Sequence, residues 1–199
     1  MAKNEWEITV GDYVVYPTHG VGQVSEITEE TIAGMTIEFL VITFEKNRMT
    51  LKIPVSKIET SGLRKLSTES EIKHAIDVMK TSPQQKRIVW AKRAQEYEEK
   101  INSGDPVVVA EVVRDLYKRA DRVEQSFSER QIYEQALTRL ADEYAIIYGL
   151  PSDEAISKIE GIMEREDKKQ AAKDKDKEKD KDTKPKDAFL DEDEEELDE

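Results

Sequence analysis

"MTIEFLVITFE", residues 35–45, is the stretch that settles the architecture of the first third of the chain. Its β-branched and aromatic side chains suit a pleated, half-buried strand, and no helical period runs through it. Working outward, "ITVGDYVVYP" (8–17) alternates and stops at Tyr16-Pro17, and "GVGQVSEI" (20–27) follows a glycine-rich turn. "MTLKIPV" (49–55) follows a turn containing Asn47. Pro54 suits the end or edge of a sheet, because proline has no N–H to give to a ladder. Five short strands within residues 8–58 predict a small, strongly bent barrel of the SH3-like or Tudor-like kind.

Past Ser61-Gly62 the pattern turns helical. Thr68 with Glu71, Ser82 with Gln85, and Ser128 with Gln131 all have capping-box spacing. Pro83 and Pro106 stand where a first helical residue would, the second directly after Asp105. Gly104 and Gly149 are natural stops. These signals predict helices over 69–80, 83–102, 106–120, 128–148 and 152–165. The expected fold class is α+β, with a barrel in 1–62, a helical domain in 63–165 and a disordered Lys/Asp-rich and acidic tail in 166–199.

That tail distorts the bulk numbers. The chain has 199 residues, a net charge of -13, 37% hydrophobic and 38% charged residues. From Glu164 onward almost nothing can be buried, so the gain from packing cannot offset the entropy of ordering. The last nine residues, DEDEEELDE, hold eight carboxylates, so the net charge says little about what the folded part binds. There is no cysteine, which excludes disulfides and thiolate metal sites and fits a reducing cytoplasm. No stretch approaches the roughly 20 apolar residues of a membrane span. The opening MAKNEWEITVGD lacks the apolar core of an export signal. A cytoplasmic protein is expected.

Catalytic chemistry is poorly represented. The histidines are His19, in the turn YPTHGVG, and His74, in the helical EIKHAIDVM. "THGVG" is no phosphate loop, since it lacks the Gly-Lys-Ser/Thr ending. The reading is of a protein that is not an enzyme and uses no cofactor or metal. Tyr13, Tyr16, Phe39 and Phe44 could line a methyl-lysine cage, but their alternation on strands favours a core. "TLKIPV" is a candidate edge strand, where Lys52 would discourage self-association while admitting a specific guest strand.

One cluster stands out. In "RIVWAKR" (87–93), Trp90 has Lys86, Arg87, Lys92 and Arg93 within four positions. At 100° per residue, Trp90, Ala94, Tyr97 and Ile101 share one stripe, which favours packing of the tryptophan into a core. Yet Arg87 and Arg93 flank that stripe near a helix start, where free N–H groups attract phosphate. The periodicity leaves both roles open.

The run "VWAKRAQEYEEKINSGDPVVVAEVVRDLYKRAD" (89–121) resembles the CarD/CdnL family of bacterial transcription regulators. "VGDYVVYPTHGVGQV" and "IAGMTIEFLVITF" are similar to that family's N-terminal RNA-polymerase-interacting domain, a module shared with transcription-repair coupling factor. The likeness covers roughly residues 8–164; the coupling factor's helicase motor has no room here. It implies a Tudor-like domain that pairs a strand with the β-subunit lobe of RNA polymerase. The family positions fall on Glu30, Thr31, Ile32 and Lys52, with Thr50 and Ile53 beside the last. It also implies a helical domain that meets promoter DNA in the minor groove at the upstream edge of the −10 bubble. There Trp90 would act as a wedge, with Lys86, Arg87, Lys92 and Arg93 around it, stabilising the open complex. Glu30 stands where some relatives carry Arg, and Gln95 where Lys can occur. The expectation is a monomeric bridge between polymerase and promoter, without a membrane and associated with the nucleoid through RNA polymerase. The alternatives are an adaptor whose helical domain binds another protein with Trp90 as core, and an acidic chaperone acting through the tail.

Overall fold

Tyr13–Tyr16 (β1) and Gly20–Ile32 (β2) pair antiparallel across the Pro17–His19 turn, and β2 continues into a long hairpin with Met35–Phe44 (β3). The computed structural model describes residues 8–84, 89–117 and 126–182, with side chains as far as 169. The hairpin closes through Ala33-Gly34, both at positive φ (52° and 83°), the geometry of the two-residue turn whose twist matches the strands. Met49–Pro54 (β4) and Arg64–Lys65 (β5) complete a five-stranded sheet in the order β4-β3-β2-β1-β5. A short helix, Ile58–Ser61 (α1), leads into β5. Five strands were expected within residues 8–58; the fifth instead comes from Arg64–Lys65, beyond Gly62, and pairs with β1.

Bending comes from one residue. The register passes from Val24↔Ile42 to Glu26↔Val41, so Ser25 is extra and its hydroxyl donates to the Val41 carbonyl at 3.2 Å. A bulge bends its strand and shifts the alternation by one. Before it Gly20, Gly22 and Val24 face inward; after it Ile27 packs against the core. Gly22 leaves room for its neighbours, since a Cβ there would lie 2.6 Å from Ile42 and 2.8 Å from the Phe44 ring. Val14, Leu40, Ile42, Phe44 and Ile58 close the sheet's core. Phe44 is thus core, and Tyr16 packs partly against it, while Tyr13 is 42% exposed; they do not converge on a methyl-lysine cage.

The helices are Glu69–Met79 (α2), Trp90–Asn102 (α3), Pro106–Leu116 (α4), Phe127–Tyr148 (α5) and Ser152–Asp182 (α6). Thr68 and Glu71 form the expected reciprocal cap of α2, and Asp105 accepts from Val107 and Val108 before Pro106 of α4. Gly149 ends α5 in the left-handed region at φ 63°. α4 is apolar on nearly every side and packs against α2, α3 and α5, so its valines override their modest helix propensity. Residues to Glu164 form one unit by their contacts, and Arg165–Glu199 another.

Several helix boundaries differ from expectation. α3 begins at Trp90, not at residue 83. Upstream, the Gln84 backbone N–H donates to Asp115 Oδ1 at 3.0 Å, and Arg114 donates to Thr81 Oγ1 at 2.9 Å and to Asp115 Oδ1 at 2.9 Å. The buried Arg114–Asp115 couple of α4 therefore binds 81–84 outside any helix; Gln85, the other half of the expected cap, lies outside the described residues. α5 begins at Phe127 and is capped by Ser126 with Glu129, not Ser128 with Gln131. Both spacings exist in the sequence, but the hydroxyl of Ser128 has another partner. α4 leaves helical geometry at Tyr117; 118–125 lie outside the described residues.

The last helix also outruns its expected end at 165, continuing to Asp182 where a disordered tail was read. Just past that expected end Lys169 pairs with Glu166, three residues before it, at 2.7 Å. Each such pair adds a few tenths of a kcal/mol to a helix. Residues 183–199, with the acidic end, lie outside the described residues.

Candidate nucleic-acid and polymerase interfaces

Trp90 is the first residue of α3, and no side chain among the described residues caps that helix. Its ring is half-buried against the helical core, on the stripe completed by half-buried Ala94 and buried Tyr97 and Ile101. Tyr97 lies 6.5 Å away, ring to ring. Burial, with Asp115 nearby, pushes the Tyr97 phenol up, so it stays neutral. The helical stripe is thus real, yet it carries Trp90 at its end, where the ring is not closed over.

Two contacts fix the ring. Its indole Nε1 donates to Ser128 Oγ at 3.0 Å, in the first turn of α5. The Arg93 guanidinium lies over its face, 5.1 Å from the centroid, a cation–π arrangement, while Nη2 reaches Glu129 at 3.4 Å. Arg93 is therefore partly committed inside the protein. Lys92 is exposed and makes no ion pair among the described residues. Lys86 and Arg87 lie outside the described residues.

Two apolar neighbours were missed from the sequence. Val89, directly before Trp90, is 77% exposed, and Phe127, directly before Ser128, is 78% exposed. Their signal was an apolar residue at a helix start, outside any packing stripe. Trp90, Val89 and Phe127 are thus three apolar side chains at the starts of two helices, with exposed Lys92 nearby. Free N–H groups of a helix start carry partial positive charge.

The second surface is on the sheet. β4 is the terminal strand among the described residues, as "TLKIPV" suggested, so one edge has no strand neighbour among them. Thr50 and Lys52 are exposed, whereas Ile53 is 8% exposed and faces the core; it can offer a partner only its backbone. Thr31 and Ile32 lie exposed near the hairpin tip. Glu30 of β2 and Lys52 of β4 meet across β3 at 2.6 Å. The hydrogen bond and charge of Glu30 push the Lys52 ammonium up, so it stays protonated. Of the six sheet positions, Thr31, Ile32, Thr50 and Lys52 are exposed, Glu30 is partly exposed and Ile53 is buried.

His74 is exposed on α2, and His19 stacks on Tyr16 at 5.5 Å between ring centres. Among the described residues no acidic and histidine groups are arranged to hold a metal, and no helix is long and apolar enough to cross a membrane.

A bent sheet with a free edge, joined to a helical bundle with an open aromatic and cationic helix start, defines a two-module protein with two separate candidate contact surfaces. The family model described as "CarD-like/TRCF RID domain" matches residues 8–67, and that described as "CarD, C-terminal domain" matches 74–160. A Bacillus subtilis (strain 168) protein named "Putative transcription factor YdeB" is 30% identical over 141 residues, spanning 71% of this chain and 92% of that one. The solution NMR structure of the 72-residue N-terminal domain of Myxococcus xanthus CarD is similar over 29% of this chain and 77% of that one, at 36% identity and a TM-score of 0.26. The chain belongs to the CarD/CdnL family of bacterial transcription regulators.

Proposed function

We propose that the protein bridges RNA polymerase and promoter DNA, docking its sheet on the β-subunit lobe and setting Trp90 into the minor groove at the upstream edge of the −10 bubble. The carrying observation is the half-exposed indole at a helix start that no described side chain caps, beside exposed Lys92. A wedge that fills an unstacked base step offsets a distortion costing about a few kcal/mol in free duplex. TA and other pyrimidine–purine steps unstack most readily, as an A·T-rich −10 edge offers. Preference for opened DNA shifts the closed-to-open equilibrium by the difference in affinity for the two states. A difference of about 1.4 kcal/mol is tenfold in open complex.

Among the described residues the cations of the DNA side are Lys92 and Arg93, and Arg93 is partly neutralised by Glu129. Alone they would give weak, salt-sensitive binding. Docking on polymerase supplies the missing affinity by raising the local concentration of the helical part at the promoter. The exposed β4 edge and the Thr31–Ile32 strip support that docking reading.

A second reading, an adaptor whose helical part binds another protein, draws support from the exposed Val89 and Phe127 beside the acid Glu129. Lifetimes of polymerase–promoter complexes separate the two. Trp90→Ala should retain polymerase affinity and shorten the lifetime; Lys52→Glu should lose polymerase affinity. An unchanged lifetime with folded Trp90→Ala rejects the wedge.

A further inference from the structure

Three residues on one face of α5, spaced i, i+3 and i+4, hold three separate parts of the sheet. Arg139 donates through Nη2 to the Thr18 carbonyl in the β1–β2 turn. Its guanidinium lies so close to Gly20 that a Cβ there would be 2.7 Å from Nη1. Asp142 pairs with Lys46 of the β3–β4 turn, and Ser152 joins them, 3.0 Å from each. Glu143, 3% exposed, takes both arms of the Arg64 fork from β5 at 2.7 and 2.8 Å, and the Ser67 N–H at 2.7 Å. Arg64 Nε also donates to the Gly104 carbonyl at 2.8 Å, tying in the link between α3 and α4.

The opposite end of the same helix supports Trp90, through Ser128, and Arg93, through Glu129. From Ser128 to Glu143 a helix rising 1.5 Å per residue spans about 22 Å. A planar, two-bonded Arg–carboxylate pair fixes orientation as well as distance, unlike a point contact by lysine. A buried ion pair of this kind adds little net stability over an apolar substitute, so its value here is in geometry.

We infer that α5 is a fixed spacer between the polymerase-docking sheet and the DNA wedge, and that Arg64 and Glu143 are the positioning residues that set where Trp90 lands. The inference rests on the bridging role proposed above. With the sheet docked, a stiff α5 delivers the indole to one place along the DNA. With the joint loose, the sheet and Trp90 each keep their own chemistry, but the ring is spread over many positions and its local concentration at the bubble edge falls.

The chain's lack of cysteine makes the test direct. Spin labels at Ser56→Cys on the sheet side and Gln95→Cys on α3, both exposed, report the distance between the two parts. In the wild-type background the distance distribution should be narrow, and in Glu143→Ala it should broaden. Arg64→Lys, which keeps the charge and loses the fork, should broaden it too and serves if Glu143→Ala does not fold. In promoter complexes Glu143→Ala should retain polymerase affinity within about twofold, since its docking strip is untouched, and lose open-complex lifetime toward the level of Trp90→Ala. A short bis-maleimide bridge between Lys46→Cys and Asp142→Cys should restore both the narrow distribution and the lifetime in the Glu143→Ala background; because such a bridge also constrains the unfolded chain, lifetimes are compared well below the melting temperatures of the bridged and unbridged proteins. A distribution that stays narrow in both variants overturns the spacer, as does a broadened one with wild-type lifetime. Wild-type lifetime in Trp90→Ala would instead reject the wedge reading and leave the distance result standing by itself.

Discussion

The indole N–H of Trp90 donates to the hydroxyl of Ser128 at 3.0 Å, joining residues 38 positions apart and the first turns of two helices. Ser126 with Glu129 caps α5, which leaves Ser128 inside the first turn with its hydroxyl turned to the indole, although its spacing to Gln131 would permit a cap. The bond from the indole holds the ring edge-on to α5, with Arg93 on its face.

Removing that acceptor should loosen the ring without unfolding the protein. Ser128→Ala loses a neutral hydrogen bond worth about 1 kcal/mol net, and less where water can replace it. With Trp6→Phe as background, Trp90 fluorescence anisotropy should fall while the melting temperature moves by only a few degrees. Open-complex lifetime should shorten by about fivefold at most, corresponding to about 1 kcal/mol.

Phe127 should matter to binding and not to folding. At 78% exposure its truncation costs the core nothing. Base–aromatic stacking is worth about 1–3 kcal/mol per base. Phe127→Ala should therefore keep its thermal stability and weaken retention on bubble DNA by at least about fivefold when polymerase is present. Equal retention would place Phe127 outside the interface.

Gly22→Ala should destabilise the sheet by about 1–3 kcal/mol, the usual range for overpacking. Its backbone conformation needs no glycine, but a methyl would press on Ile42 and Phe44. Urea unfolding measures the loss, and Phe44→Leu in the same chain should recover part of it.

The cap of α2 predicts an acid limb. The Thr68 N–H and hydroxyl, bound to Glu71, hold its carboxyl below the ordinary 4.5. A depressed folded pKa means that the stabilisation is complete above the unfolded value and is lost as pH falls through the folded one. Stability should decline below about pH 4.5, and Glu71→Gln should flatten part of that decline; equal acid limbs in the two proteins would remove Glu71 as a contributor.

Much of the architecture is local and was therefore readable. The caps of α2 and α4 bind within three residues of their own serine, threonine or aspartate positions, so sequence spacing alone identifies them. The strand at 35–45 and the free edge at β4 follow from side-chain type and from Pro54. The bulge at Ser25 was not legible, since it depends on register against β3. Nor was β5, whose two residues become a strand only through pairing with β1. The candidate site divides in the same way. Trp90, Arg93 and Lys92 were visible as a cluster, and Glu30 and Lys52 through the family likeness. Ser128, Phe127 and the Arg64–Glu143 fork depend on chain segments far apart in sequence.

By itself, then, the sequence determined the kinds of element, their caps, the absence of thiol chemistry and the stripe that carries Trp90 toward a core. Tertiary structure alone decided that the stripe ends before it covers the indole, that Ile53 faces inward while Lys52 does not, and that one face of α5 grips three parts of the sheet. The physical reason is range. Capping and periodicity act within one or two helical turns, whereas exposure and ion pairing are settled by whichever distant segment packs alongside.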